Sequence, residues 1–204
     1  MHKSRGNAIE PFSLIEKNGA DPIRWYLPYV SPVWTPIKFD EEGLKEVYSK
    51  FFNTFKNTYS FFALYANTDN VDPRKFSVSY DKLEEIDKWL LSKYNKLLDY
   101  VTKAYDEYDL TRVVRSVTDF VSEDLSNWYI RRTRKRFWAH DLDDSKKAVY
   151  KTTYDVLVGL CKIIAPIASF TAEEIYTNLT DGTSVHLSDF PKSNLSLVDD
   201  RIEN

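Results

Sequence analysis

The stretch from Asp109 to Trp138 constrains the fold most, because it contains neither glycine nor proline. It predicts one long helix of about 45 Å, at roughly 1.5 Å per residue. Apolar side chains recur along it at helical spacing and form a single stripe: Leu110, Val113, Val114, Val117, Val121, Leu125 and Trp128. A helix with such a stripe has to pack against other helices.

The last turns of this helix change in character. At α-helical periodicity the stripe continues into Arg131, Arg132 and Lys135, while Ile130 and Phe137 fall on the opposite face. Burying three cations without partners is costly. We therefore expect the helix to leave its bundle at this end and to present the cations to a ligand.

The segment Asp124–Trp138, DLSNWYIRRTRKRFW, interleaves cations with aromatic rings. Cations neutralise phosphates, and flat rings stack on unstacked bases, so the segment favours binding of single-stranded RNA. A solvated helix face, or arginine stems that cover apolar surface, is the structural alternative. The candidate RNA-binding residues are Asn127, Trp128, Arg131, Arg132, Arg134, Lys135 and Arg136.

Composition limits the remaining possibilities. The formal net charge of −3 means that attraction to RNA has to come from a local patch. A single cysteine, Cys161, excludes a disulfide framework and fits a cytoplasmic protein. There is no apolar run of membrane length, no metal-ligand spacing and no catalytic Ser-His-Asp arrangement. We expect a monomer without a membrane partner, a metal site or catalysis of its own.

The other elements predict an all-α bundle with a small N-terminal appendage. Two short helices are expected first, Pro11–Ala20 and one capped by Asp21, with Trp25 and Trp34 as core anchors. We place the appendage at residues 1–39, the bundle at 40–191 and a loose tail at 192–204. Within the bundle we predict a helix from Asp40 to Asn67 and a second long helix with an Asp81/Glu84 capping box. We further predict a central helix over Val149–Ile164 and a short helix with a Thr171/Glu174 capping box. An extended segment is expected at Val185–Leu187.

Several motifs resemble class I aminoacyl-tRNA synthetases of the isoleucyl branch. Residues 1–7, MHKSRGN, resemble the end of the Lys-Met-Ser-Lys-Ser signature loop, with His2 in place of the usual serine. The segment GADPIRWY at 19–26 is similar to the one that follows that loop in the isoleucyl, valyl and leucyl group. SPVW at 31–34 and YSFFALYAN at 59–67 resemble the isoleucyl branch. LSNWYIRR at 125–132, with RFW at 136–138, is the most specific similarity.

The resemblance implies a stem-contact segment followed by a helical anticodon-binding domain. Lys3 and Ser4 then match the signature-loop residues that assist catalysis with ATP and Mg²⁺ in the whole enzyme. The implied partners are the isoleucine tRNA, through its anticodon stem-loop, and the remainder of the synthetase chain. The valyl branch, which should lack the NWYIRR string, is the alternative within the family. By resemblance, the chain binds RNA and does not catalyse the reaction alone.

Overall fold

The computed structural model describes residues 10–202 and begins with two short helices. Helix α1 spans Pro11–Asn18 and α2 spans Ala20–Val30. Pro28 lies inside α2, so this helix extends further than the proline-rich sequence around it indicates. Gly19, which separates the two helices, has a φ of 82°. This left-handed backbone suits glycine and allows the chain to reverse.

The next helix is continuous but contains wider turns. Asp40 caps it as predicted, and its carboxylate accepts hydrogen bonds from the N–H groups of Glu42 and Gly43 at 3.3 and 3.1 Å. Helix α3 covers Glu41–Val47, a π-helical segment covers Tyr48–Asn53, and α4 covers Thr54–Thr68. Its buried face follows the predicted stripe and includes Leu44, Val47, Phe51, Phe55 and Phe62.

The second long helix, α5, spans Glu85–Asp106. Its capping box lies three residues later than predicted, because Glu84 and Asp87, not Asp81 and Glu84, make the reciprocal contacts. The Glu84 N–H donates to Asp87 Oδ2 at 3.1 Å. Leu90, Leu97 and Val101 are buried along its inner face.

The predicted helix Asp109–Trp138 is continuous in the structure. It consists of α6, Leu110–Asp119, a π-helical segment, Phe120–Ile130, and α7, Arg131–Trp138. We call the three together the basic helix. Asp109 caps it by accepting the Arg112 N–H at 3.1 Å.

Because the π-helical turns are wider, the side chains buried near the end of the basic helix differ from those that the sequence predicted. Its buried residues recur every four positions from Val121 to Phe137, through Leu125, Tyr129 and Thr133. Four turns of about 3.6 residues from Val121 would instead reach a position near Lys135. The prediction that the helix leaves the bundle was therefore wrong. Phe137 is still buried, and the cations lie on the outer face.

Helix α8, Asp144–Ile164, is the central helix predicted from its apolar sequence. Most of its residues are buried, including Val156, Leu157 and Leu160. Helix α9, Ser169–Leu179, follows it after the break at Pro166. The segment Val185–Leu187 forms a 3₁₀ turn, so the extended segment predicted there was wrong.

The segment predicted as a loose tail is fastened to α5. Its 3₁₀ turns are Leu195–Leu197 and Asp200–Ile202. The Asn194 N–H donates to Asn95 Oδ1 at 2.7 Å, and the Asp199 N–H donates to Ser92 Oγ at 2.9 Å. Two polar side chains buried on α5 thus hold the segment in place.

Helix α2 is joined to the junction between α8 and α9 by side-chain caps. Asp21, predicted to cap its own helix, instead accepts the N–H groups of Thr171 at 2.6 Å and Phe170 at 3.4 Å. Arg24, also on α2, donates hydrogen bonds to the carbonyls of Ile167 at 2.8 Å and Pro166 at 3.0 Å. The buried carboxylate of Asp21 therefore satisfies N–H groups at the start of α9. The capping box predicted for Thr171 and Glu174 does not satisfy them.

The two predicted tryptophan anchors differ in outcome. Trp25 is fully buried, stacks on Phe51 with ring centroids 4.1 Å apart, and donates its indole N–H to Thr118 Oγ1 at 3.0 Å. Trp34 is 70% exposed, so its prediction as a core anchor was wrong. Between Pro32 and Pro36 the chain lies outside any helix.

One apolar core connects the appendage with the bundle, since Trp25 and Tyr26 belong to the same buried cluster as Leu160 and Ile175. Residues 10–202 contain helices and turns but no β-strand. No helix among them is long and apolar enough to cross a bilayer. The predicted all-α class is confirmed.

Truncating Leu160 should test the central position of α8. Leu160 is fully buried, so Leu160→Ala should lower the free energy of unfolding by about 2–5 kcal/mol. Leu64→Ala is the matched control, because Leu64 is 60% exposed and its truncation should lower the free energy of unfolding only slightly. Urea unfolding followed by circular dichroism measures both. Equal losses for the two variants would contradict the assignment of α8 as the centre of the core.

Candidate nucleic-acid interface

Four of the five predicted cations form an exposed group on α7. Arg131, Arg132, Arg134 and Lys135 are exposed, whereas Thr133 between them is buried. Within the part of the chain that the structure describes, none of the four forms an ion pair with a carboxylate. We call these four residues the cation group. Their charges are available to an anionic ligand.

Arg132 is held flat against a tryptophan. Its guanidinium carbon lies 3.5 Å from the centroid of the Trp128 ring, a close cation–π contact. The Trp89 ring, on α5, lies 5.9 Å from the Trp128 ring and is tilted by 41°. Trp128 is 43% exposed, so this aromatic surface reaches solvent.

Trp89 was missed by sequence reasoning. It lies next to the predicted apolar stripe of α5, and nothing in its spacing connects it with Trp128, which is distant in the chain. Only the packing of α5 against the basic helix brings the two indole rings together. Trp128 itself was predicted to end the apolar stripe, and it instead lies at the edge of the core.

A groove of about 720 Å³ opens beside these rings, between the start of α5 and the basic helix. Its walls include Trp89, Trp128, Arg132 and Asn127, and Ile202 of the C-terminal segment also lines it. The Asn127 amide donates to Glu123 Oε2 at 3.3 Å. The remaining lining residues are Glu84, Glu85, Ile86, Glu123 and Asp124.

A buried hydrogen-bonded ion pair involves residues that are adjacent in sequence to those lining the groove. Asp87 is fully buried, and its Oδ1 accepts the Tyr129 hydroxyl at 2.7 Å. Both terminal nitrogens of the Arg136 guanidinium donate to the same carboxylate, at 2.7 and 2.8 Å. Arg136 also donates to Ser145, through Nε to the hydroxyl at 2.9 Å and through Nη2 to the carbonyl at 2.7 Å. The network therefore joins α5, the basic helix and α8.

This network changes the interpretation of Arg136. The sequence placed it with the RNA-binding cations, but its side chain is only 13% exposed and its donors are used by Asp87 and Ser145. A bidentate arginine–carboxylate pair is strong, so phosphate would have to displace a buried partner. We do not include Arg136 in the cation group.

Electrostatics keeps Tyr129 and Arg136 each in one protonation state. Burial, and then the charge of Asp87, raises the pKa of Tyr129 well above its usual value. Burial lowers the pKa of Arg136, but the hydrogen bonds with Asp87 and the electrostatic interactions with Asp87, Tyr129 and Glu84 together outweigh this effect and leave the pKa raised. Tyr129 thus stays a neutral donor and Arg136 stays charged.

A second buried cation, the ammonium of Lys146, holds the end of the basic helix. Lys146, on α8, donates to the Ala139 carbonyl at 2.5 Å and lies 2.7 Å from Asp69 Oδ2. The Tyr150 hydroxyl donates to the same Asp69 oxygen at 2.5 Å. Since Lys146 is almost fully buried, this contact fixes the position of the chain directly after Trp138.

The predicted signature-loop residues, Lys3 and Ser4, lie outside the described residues. Within residues 10–202, no three His, Cys, Asp or Glu side chains come together as a group that could hold a metal ion. The candidate interface is therefore defined by the cation group, the two indole rings and the groove.

Comparison with known families identifies this architecture. Residues 87–204, more than half of the chain, match the family described as the anticodon-binding domain of tRNA ligase. The chain belongs to this family. The match begins at Asp87, so the buried network, the cation group and α8 all lie in the anticodon-binding domain.

The relatives extend the similarity to the whole chain. An isoleucine–tRNA ligase of Porphyromonas gingivalis is 46% identical over 204 residues, which is 100% of this chain and 18% of that protein. An isoleucine–tRNA ligase of Bacteroides thetaiotaomicron is 44% identical, again over 100% of this chain and 18% of its own length. The chain thus spans about a fifth of the length of these relatives, and the predicted isoleucyl branch is confirmed.

A solved structure shares the fold. The Agrobacterium radiobacter K84 agnB2 LeuRS, crystallised as a ternary complex with tRNA and LeuAMS, superposes with a TM-score of 0.70. The alignment covers 98% of this chain and 23% of that one, at 17% sequence identity. It confirms the fold of the anticodon-binding region of a class I synthetase.

Removing Arg136 should destabilise the domain strongly. Arg136→Ala leaves the Asp87 carboxylate buried and unpaired, so the free energy of unfolding should fall by about 3–5 kcal/mol. Glu42→Ala, which breaks the exposed Lys45–Glu42 pair, is the control and should cost less than about 1 kcal/mol. Chemical unfolding measures both, and a small loss for Arg136→Ala would contradict a structural role.

Proposed function

We propose that this chain binds the anticodon stem-loop of an isoleucine tRNA. The observation that carries the proposal is the cation group on α7, exposed and without carboxylate partners among the described residues, beside a groove with two indole rings. The cations suit phosphates, and the rings suit unstacked loop bases. The names of the relatives, isoleucine–tRNA ligases, support the choice of tRNA.

The residues divide between two tasks. Arg131, Arg134 and Lys135 do not line the groove, so they face the path of a backbone that passes outside it. Trp128, Asn127 and Arg132 line the groove and are placed to meet bases. Phosphate contacts position the RNA, whereas contacts inside the groove distinguish its bases.

The activity of the parent protein is part of the same proposal. We infer a monomeric, cytoplasmic synthetase that attaches isoleucine to its tRNA with ATP and Mg²⁺. By resemblance, Lys3 and Ser4 would assist the nucleotide chemistry together with the remainder of that chain. The described residues supply RNA binding and no catalytic step.

Salt dependence tests the cation group. If Arg131, Arg134 and Lys135 each neutralise a phosphate, the logarithm of the association constant should fall against log salt with a slope of about −2, at roughly 0.7 per contact for single strands. An Arg131/Arg132/Lys135 triple-alanine variant should reduce the slope to about −0.7. Fluorescence anisotropy with an isoleucine anticodon stem-loop measures both.

A matched triple variant separates the effect of the cation group on RNA binding from the effect of overall charge. Lys17/Lys38/Lys45→Ala removes the same charge from the appendage and α3, and should leave the slope nearly unchanged because these lysines lie outside the candidate interface. Unchanged affinity in a folded Arg131/Arg132/Lys135 variant would favour the structural alternative, a solvated helix face.

The chain should not catalyse amino-acid activation alone. Lys3 and Ser4 would act on a nucleotide that the rest of the synthetase has to hold, so we expect no isoleucine-dependent exchange of pyrophosphate into ATP. Exchange above a no-protein blank would contradict the division of tasks proposed for the parent protein.

A further inference from the structure

The groove between α5 and the basic helix is acidic, although the cation group lies beside it. Its described lining contains one cation, Arg132, and four carboxylates: Glu84, Glu85, Glu123 and Asp124. A phosphate in the groove would meet repulsion from several sides. The part of an RNA that enters must therefore be neutral, which is the property of a nucleobase.

Arg132 and Trp128 supply a flat surface for such a base. The guanidinium carbon is held 3.5 Å from the centroid of the indole ring, so little side-chain freedom remains to be lost on binding. Trp89, across the groove, adds a second ring. A base that enters can stack on this surface whatever its identity, so stacking provides affinity without specificity.

Specificity requires a polar group that is not already engaged. Glu84 accepts the Ser145 hydroxyl, and Glu123 accepts Ser122 Oγ at 3.1 Å and the Asn127 amide. Asp124 also has an interaction partner. Among the described residues Glu85 has no ion pair and no side-chain hydrogen bond.

The position of Glu85 suits the reading of a base edge. It is the first residue of α5, one turn before Trp89, so the carboxylate and the indole ring line the same wall of the groove. An ionised carboxylate only accepts hydrogen bonds, and it accepts two in parallel. It therefore selects a base that offers two adjacent N–H donors.

We propose that the groove binds one unstacked guanine and that Glu85 is its specificity-determining residue. The Watson–Crick edge of guanine places N1–H beside the exocyclic amine, which matches two carboxylate oxygens. Uracil offers one N–H between two carbonyls, and adenine and cytosine place an acceptor nitrogen next to their amine. The inference rests on the proposed function, since it needs RNA at this interface.

Replacing guanosine by inosine tests the proposal, because inosine lacks only the exocyclic amine. Isoleucine anticodon stem-loops would be titrated in which each loop guanosine is replaced in turn by inosine. At one position the affinity of the unaltered chain should fall roughly tenfold or more, the effect of one hydrogen bond to a charged group. Equal affinity at every position would overturn the proposal.

Two glutamine variants test whether the Glu85 carboxylate distinguishes guanosine from inosine. Glu85→Gln leaves a single acceptor oxygen, so the ratio between guanosine and inosine affinities should approach one. Glu46→Gln, an exposed position on α3 outside the groove, should keep the ratio of the unaltered chain. Circular dichroism checks that both variants are folded. A ratio retained in folded Glu85→Gln would overturn the role of Glu85.

The outcomes separate this inference from the proposed function. Salt-dependent binding of the stem-loop without discrimination against inosine would leave RNA binding intact and overturn the guanine site. No binding of any stem-loop would overturn both.

Discussion

The arrangement of the interface depends on one buried carboxylate, that of Asp87. It accepts hydrogen bonds from Tyr129 and Arg136 and thereby fixes the start of α5 against the basic helix, while Arg136 extends the contact to Ser145 on α8. Trp89 lies two residues after Asp87 and Trp128 directly precedes Tyr129, so the spacing of the two rings follows from the same contact. A buried ionic network thus determines the geometry of a solvent-accessible aromatic surface.

Local signals in the sequence predicted most of the helices. Asp40 caps its helix as expected because capping needs only neighbouring N–H groups. The apolar composition of α8 placed it at the centre because a helix apolar on all sides has to be surrounded by others. The cations Arg131, Arg132, Arg134 and Lys135 were likewise recognised, and the structure exposes all four; their RNA-binding role stays a prediction.

The features that the sequence could not show depend on turns and contacts that are not local. The π-helical segment shifts the buried face so that Phe137, not Lys135, continues the stripe. The exposed cations were therefore predicted for an incorrect reason. Arg136 looked equivalent to its neighbours because its partner, Asp87, lies on another helix. Trp89 and Glu85 join the candidate site only through the packing of α5.

The caps between α2 and the α8–α9 junction have a consequence for folding during synthesis. Asp21 and Thr171 are 150 positions apart, so the ribosome releases α2 long before it makes the N–H groups that Asp21 accepts. Until then Arg24 lacks the carbonyls of Pro166 and Ile167 as well. Contacts so distant in sequence form slowly, because a long loop must close first. Helix α2 is therefore made early, but its hydrogen bonds with the α8–α9 junction can form only after that junction has been made.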